Sequence, residues 1–260
     1  MKKLRLEERG RRSRGAAPLA ACALWGNDYA TGVANLGHQR VWALADDAPG
    51  WSADRLYALT RPGGKPVSFA RERPLSAFDL VLASVCFEND YPALLSLLDE
   101  AGLLARHGER EGPLLVVGGA APSLNPLPLA PFFDAVCRGD AEAVLPRLLE
   151  RIYENPPRTR EEAWSLFGGL GLHTDALGLP GEEWWWTSPD GAYAASETIH
   201  PAGHFSETAL VELGRGCPRR CRFCTVGWAE GGHRPAEPGA LRDLIIAETR
   251  ELRTERVGLV

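Results

Sequence analysis

Three cysteines packed into eight residues, Cys217, Cys221 and Cys224, are the densest concentration of metal-ligating chemistry in this 260-residue chain. Their C-x3-C-x2-C spacing places three thiolates on one tight loop. Soft thiolates suit iron–sulfur clusters and zinc. A cubane cluster held by three protein ligands leaves one iron open for a small molecule to chelate. Gly214 and Gly216 let the approaching backbone turn sharply, without a Cβ in the way. Arg219, Arg220 and Arg222 can offset the negative charge of a thiolate-ligated cluster, and Phe223 offers an apolar or stacking wall. The competing reading is a structural zinc site with His233 as fourth ligand. Zinc sites usually pair their ligands, with a second pair further along the chain. Here three cysteines share one loop, and His233 lies nine residues beyond Cys224 in a Gly-rich stretch. No fourth cysteine follows, as an electron carrier of the ferredoxin type requires.

The rest of the composition narrows the setting. An apolar content of 45% and a charged content of 24% are those of an ordinary globular protein. A formal net charge of −5 gives no reason to expect nucleic acid or an anionic membrane as partner. The exception is the stretch 1–16, where seven Lys and Arg side chains face only Glu7 and Glu8, and which reads as a basic, disordered arm. The apolar stretch before Cys22 is too short for an export signal and contains Pro18. No apolar run approaches the ~18–20 residues of a membrane span. Cys22, Cys86 and Cys137 sit singly in apolar runs, as buried free thiols do. One tight cysteine cluster plus scattered thiols fits a metal site in a reducing cytoplasm better than a disulfide framework.

The elements that must carry the loop alternate in type. Continuous apolar or β-branched runs at 19–25, 79–87, 113–117 and 134–137 read as buried strands, with a weaker one at 55–59. Helical spacing appears at 32–45, 89–104, with Pro92 in its first turn, and 141–153. Strands joined by helices of crossover length imply an α/β fold with a doubly wound parallel sheet. Ligands on such sheets sit beyond the carboxyl ends of the strands. The phrases to read are therefore those holding Ser84, Gly118-Gly119 and Gly139. Pro156-Pro157 opens a connector with a helical piece at 160–167 and three tryptophans at 184–186, which suit an interdomain seam. A strand at 208–213 leads into the cysteine loop, followed by a helix at 239–253 and a strand at 256–260.

The sequence CPRRCRFC, with an aromatic before the last cysteine and a strand before the first, resembles the signature of the radical S-adenosylmethionine superfamily. The resemblance implies a 4Fe–4S cluster on Cys217, Cys221 and Cys224, S-adenosylmethionine on the open iron, and Phe223 packing against that cofactor. It further implies an electron donor, reductive cleavage of the sulfonium, and hydrogen abstraction from a substrate the sequence does not name. The first block resembles the cobalamin-binding domain that precedes the radical domain in one branch of the superfamily. The phrases carrying that likeness hold Ser84, the Gly118-Gly119 pair and Gly139, which by resemblance contact cobalamin. One departure stands out: such domains place a cobalt-ligating histidine in a D-x-H-x-x-G phrase, whereas this chain reads GNDYATGVANLG and its His38 lies later, in the expected helix. A non-catalytic cobalamin-binding module is the alternative function, and a zinc-stabilised interaction protein a third.

The expected layout is a basic arm at 1–16, a cobalamin-binding-like domain at 17–155, a connector at 156–205, and the start of a radical-enzyme β/α barrel at 206–260. The resemblance implies further barrel units after residue 260, supplied by more chain or by a partner chain. Without them, the strands at 208–213 and 256–260 are expected to form an open sheet edge with no neighbours.

Overall fold

The computed structural model describes residues 2–58, 65–174, 193–229 and 232–260. Five parallel strands form its centre: β1 (Leu19–Trp25), β2 (Trp51–Tyr57), β3 (Leu80–Ser84), β4 (Leu114–Gly118) and β5 (Ala135–Cys137). A two-residue strand, β6 (Leu172–His173), adds antiparallel to β5, and the sheet order is β2-β1-β3-β4-β5-β6. The order reverses between β1 and β3, the switch point of a doubly wound sheet. The expected α/β class is the observed one.

Helices cover both faces because successive strand residues point to opposite sides. Cys22, Leu24, Val81 and Ala83 face α2 (Tyr91–Glu100), which supplies Leu94, Leu97 and Leu98. Ala21, Ala23, Leu80 and Leu82 face Trp42 of α1 (Leu36–Asp47) and Leu145, Leu148 and Leu149 of α3 (Ala141–Glu154). Asn35 caps α1 by accepting from the His38 N–H at 2.8 Å. The helix α4 (Arg160–Phe167) buries Ala163 and Phe167 in the same layer, and Leu170 and Leu172 follow. Residues assigned by sequence to a connector thus belong to the core of the sheet domain. Tryptophans 184–186 lie outside the described residues, as does Leu59 of the expected second strand.

Three expectations give way. The second strand starts earlier than 55–59, at Trp51, and carries Ser52, Asp54 and Arg55 fully inside. Those polar residues hid it from an apolar reading. They are tolerated because each finds partners: Asp54 accepts from the backbone N–H groups of Ala70 and Arg71 at 2.9 Å. The basic arm is ordered. Lys2–Glu7 is a short helix, Arg9–Gly10 pairs antiparallel with Thr198–Ile199, and Arg11 bridges Asp46, Asp47 and Glu197. Its charges are matched by acids distant in sequence, which a local charge count cannot see.

The open edge is also half closed. β7 (Ala209–Val211) pairs in parallel with β8 (Val257–Leu259) through the crossover helix α5 (Pro238–Glu251). On its other side, Ser196 donates to the Leu210 carbonyl and Glu212 to the Ala194 carbonyl, both at 2.9 Å. Among the described residues no further strand pairs with β8, and α5 buries none of its side chains.

Candidate functional site

Beyond the carboxyl ends of β3, β4 and β5 lies a cleft of about 470 Å³, a size within the range of small-ligand sites. The strand ends are level, because Ser84 pairs with Gly118 and Gly118 with Cys137 in the ladder. Ser84, Gly118, Gly119 and Gly139, singled out from three separate phrases of the sequence, all line this cleft. The first residues of α1 and α3 complete its walls on the sheet side. Each presents the amide-rich end of a helix, where partial positive charge gathers. The facing wall comes from the second block: Glu212, Gly214, Arg215 and Gly216, immediately before the first cysteine of the loop.

Gly119 is bound to its place by geometry. Its φ of +113° and ψ of −177° lie in a region that side-chain-bearing residues avoid, and an added Cβ would stand 2.2 Å from the Val85 carbonyl oxygen. Gly119→Ala is expected to cost roughly 1–3 kcal/mol from the backbone alone, measured by urea denaturation, and to push the wall at Val85.

Two free thiols line the cleft, Cys86 and Cys137. Burial pushes the Cys137 thiol up to about 11, and the thiol donates to the Gly139 carbonyl. Burial likewise raises Cys86, although the Asn35 side-chain amide donates to its sulfur at 3.2 Å. Both are neutral thiols at pH 7, poor metal ligands and poor nucleophiles. Among the described residues, no histidine lines the cleft. Asp28, at the start of the phrase where a cobalt-ligating histidine would sit, caps a short turn by accepting from the Thr31 N–H at 2.8 Å. His38 is fully buried against Trp25 and Tyr57 instead.

The cysteine loop projects from a narrow neck. Gly214–Arg215 pairs antiparallel with Arg234–Pro235, so the two ends of the loop meet. Gly216 follows at φ +73°, where an added Cβ would stand 2.1 Å from the Gly232 carbonyl oxygen. Both neck glycines expected from the sequence are thus required by close backbone approach. Between the ends, Cys217, Cys221 and Cys224 are half-buried and outside any disulfide. Phe223 stands 91% exposed, outside the cleft lining. Among the described residues, no three His, Cys, Asp or Glu side chains are grouped closely enough to hold a metal ion. The three thiols therefore share a loop without converging. The donor set itself fits a three-thiolate cluster: soft ligands, none in a disulfide, on irregular backbone that the ladder bonds of the sheet do not tie down.

Sequence reading missed the charges around this neck. Arg215 reaches Glu142 at 3.0 Å, Glu212 at 2.8 Å and Asp140 at 3.0 Å, and Arg234 reaches Asp140 at 2.6 Å. Arg40 approaches Glu142 from the far side at 3.2 Å. Burial by itself would raise the Glu142 carboxyl, but the Arg215 and Arg40 guanidiniums hold it below the usual carboxylate range. Partners 73 positions apart carry no local signal of their pairing. The Asp and Glu beside Gly139 were visible, but only as part of a turn.

Among the described residues no helix is long and apolar enough to cross a membrane. Residues 37–167 match the family described as "Radical SAM proteins, N-terminal". An uncharacterized protein of Methanocaldococcus jannaschii is 26% identical over 187 residues, which are 70% of this chain and 37% of that relative. The chain thus spans little more than a third of the relative's length. The family match, half of the chain, falls on the sheet domain and ends before the cysteine loop: the chain belongs to the radical SAM proteins, in their N-terminal family.

Proposed function

We propose that this is a radical S-adenosylmethionine enzyme, or its N-terminal portion, in which Cys217, Cys221 and Cys224 hold a 4Fe–4S cluster. We propose further that the sheet cleft seats part of a cobalamin. When bound, the cluster and S-adenosylmethionine supply reductive cleavage of the sulfonium and a radical that abstracts hydrogen from the substrate. The chain's own residues bind and orient. The three thiols ligate, Arg219, Arg220 and Arg222 offset the charge they gather, and Phe223 offers a face for the adenine. On the sheet side, Gly118, Gly119 and Gly139 let a flat ligand approach the backbone closely. A whole cobalamin exceeds the cleft, so an edge of the ring or the nucleotide tail is what it would take. Among the described residues the lining offers the cobalt no imidazole. Methyl transfer to an unreactive carbon and radical rearrangement are the reaction classes such a pairing serves.

The observation that carries this reading is the meeting of two features. Four residues picked from separate phrases line one cleft, and its opposite wall is the approach to the cysteine loop. Anaerobic reconstitution with iron and sulfide tests the cluster. A brown protein is expected, with absorbance lost in the triple Cys217→Ala, Cys221→Ala, Cys224→Ala variant; a colourless protein carrying zinc would overturn it. Hydroxocobalamin is expected to co-elute with both proteins in gel filtration, since the cleft does not need the thiols. Cobalamin retained by a chain that takes up no iron would instead indicate a binding module.

A further inference from the structure

The acids of the Gly139–Glu142 turn do something that the cofactor reading does not ask of them. Arg215 and Arg234 are cross-strand partners in the neck, side by side on adjacent strands. Two like charges so placed repel. They are stable here because three carboxylates converge on them: Asp140 takes both arginines, Glu142 accepts from Nη1 and Nη2 of Arg215 at 3.0 Å, and Glu212 accepts from its Nε at 2.8 Å and from the same Nη2 at 3.0 Å. The side chains of Asp140 and Glu142 are each 6% exposed, and that of Arg215 is 16% exposed. In so dry a setting paired charges interact strongly and unpaired ones are costly. The paired arginine fork also fixes direction as well as distance.

We propose that Asp140 and Glu142 are positioning residues for the cysteine loop: by gripping Arg215 and Arg234 at the two ends of its neck, they fix where Cys217, Cys221 and Cys224 sit above the sheet cleft. The inference rests on the proposed cluster only for its purpose; the grip itself is a property of the metal-free chain. The neck has little freedom to answer in any other way. Gly216 already lies against the Gly232 carbonyl, and Gly214 would place a Cβ 2.6 Å from the Arg234 carbonyl oxygen. A shift of Arg215 therefore carries the first cysteine with it, two residues on. Glu142 and Arg215 also line the cleft, so a ligand seated there touches the clamp directly.

The test uses the full chain without metal. Cys217, Cys221 and Cys224 are alkylated with iodoacetamide under native conditions and followed by peptide mass spectrometry, with fully buried Cys22 as the folding control. In Arg215→Gln and in Glu142→Gln the loop thiols are expected to react about tenfold faster, as when one member of a desolvated charge group is lost, while Cys22 stays protected. The double variant should react no faster than the faster single one, because both remove the same contact. Loop thiols at the wild-type rate in both single variants, or effects that multiply in the double, would overturn the clamp. Should Cys22 become reactive in Arg215→Gln, then Arg215→Lys decides: it keeps the charge and loses the fork, so intermediate acceleration is expected and none would refute the proposal. After reconstitution, the electron paramagnetic resonance change that S-adenosylmethionine produces in the reduced cluster is expected to be lost in Arg215→Gln, which a purely stabilising contact would leave intact. If wild-type chain takes up no cluster, the proposed function fails while the alkylation result still judges the clamp.

Discussion

Glu8→Ala is expected to destabilise the fold by about 3–5 kcal/mol, the cost of leaving one buried charge without its partner. Glu8 comes from the N-terminal arm and is 3% exposed. Its two oxygens accept from Arg55 at 2.9 and 2.8 Å, and the first also accepts from the Tyr29 hydroxyl at 2.8 Å. Arg55 sits within β2, its guanidinium 4.0 Å from the centre of the Trp42 ring, and has no route to water. Removing the carboxylate strands that charge inside the core and leaves the Tyr29 hydroxyl unpaired. Urea denaturation at pH 7, read by tryptophan fluorescence, should show a lower midpoint with an unchanged slope. The double variant Glu8→Leu, Arg55→Met should recover most of the loss, because apolar groups of similar size need no counter-charge. A single-variant loss below about 1 kcal/mol, the worth of an exposed pair, would show that the arm is not part of the core.

Acid should weaken the protein through His38. Burial, with the Arg55 charge behind it, lowers the His38 pKa from its ordinary value to about 3. Among the described residues, neither ring nitrogen has a hydrogen-bonding partner. The sign follows from where the proton binds: the unfolded chain takes it up near pH 6.5, and the folded chain not until about pH 3. The stability His38 contributes is therefore full above pH 6.5 and is lost as pH falls toward 3. At pH 4 the loss from this one side chain should be about 3 kcal/mol. His38→Leu should flatten that limb and leave stability near neutrality equal or greater, since it removes a polar ring that pairs with nothing. Parallel pH curves for the two proteins would show that another group sets the acid limb.

Much of the architecture could be read from the chain alone, because the signals are local. β1 and α4 fall at their expected bounds, 19–25 and 160–167, since a run of buried apolar residues and a threonine cap followed by helical spacing need no distant partner to be recognised. The candidate cofactor residues were legible for a related reason. Ser84 and Gly118 end strands, Gly119 and Gly139 follow them, and parallel strands deliver their ends to one edge. The three cysteines stand out by spacing alone, within eight residues.

What the chain could not announce are the places where charge is settled over distance. β2 hides behind Asp54 and Arg55 because its pattern is apolar only once Glu8, 47 positions away, has neutralised the arginine. The basic arm looks solvated until Asp46, Asp47, Glu197 and Glu207 are folded against it. The acids beside Gly139 look like part of an ordinary turn until Arg215 and Arg234 arrive to pair with them. Hydrophobic periodicity and thiol spacing act between near neighbours, so sequence alone names the α/β class and picks out the cysteine loop. Ion pairs are made by whichever groups the finished fold brings within about 4 Å, and only the tertiary structure could decide that the loop's neck is tied to the sheet it faces.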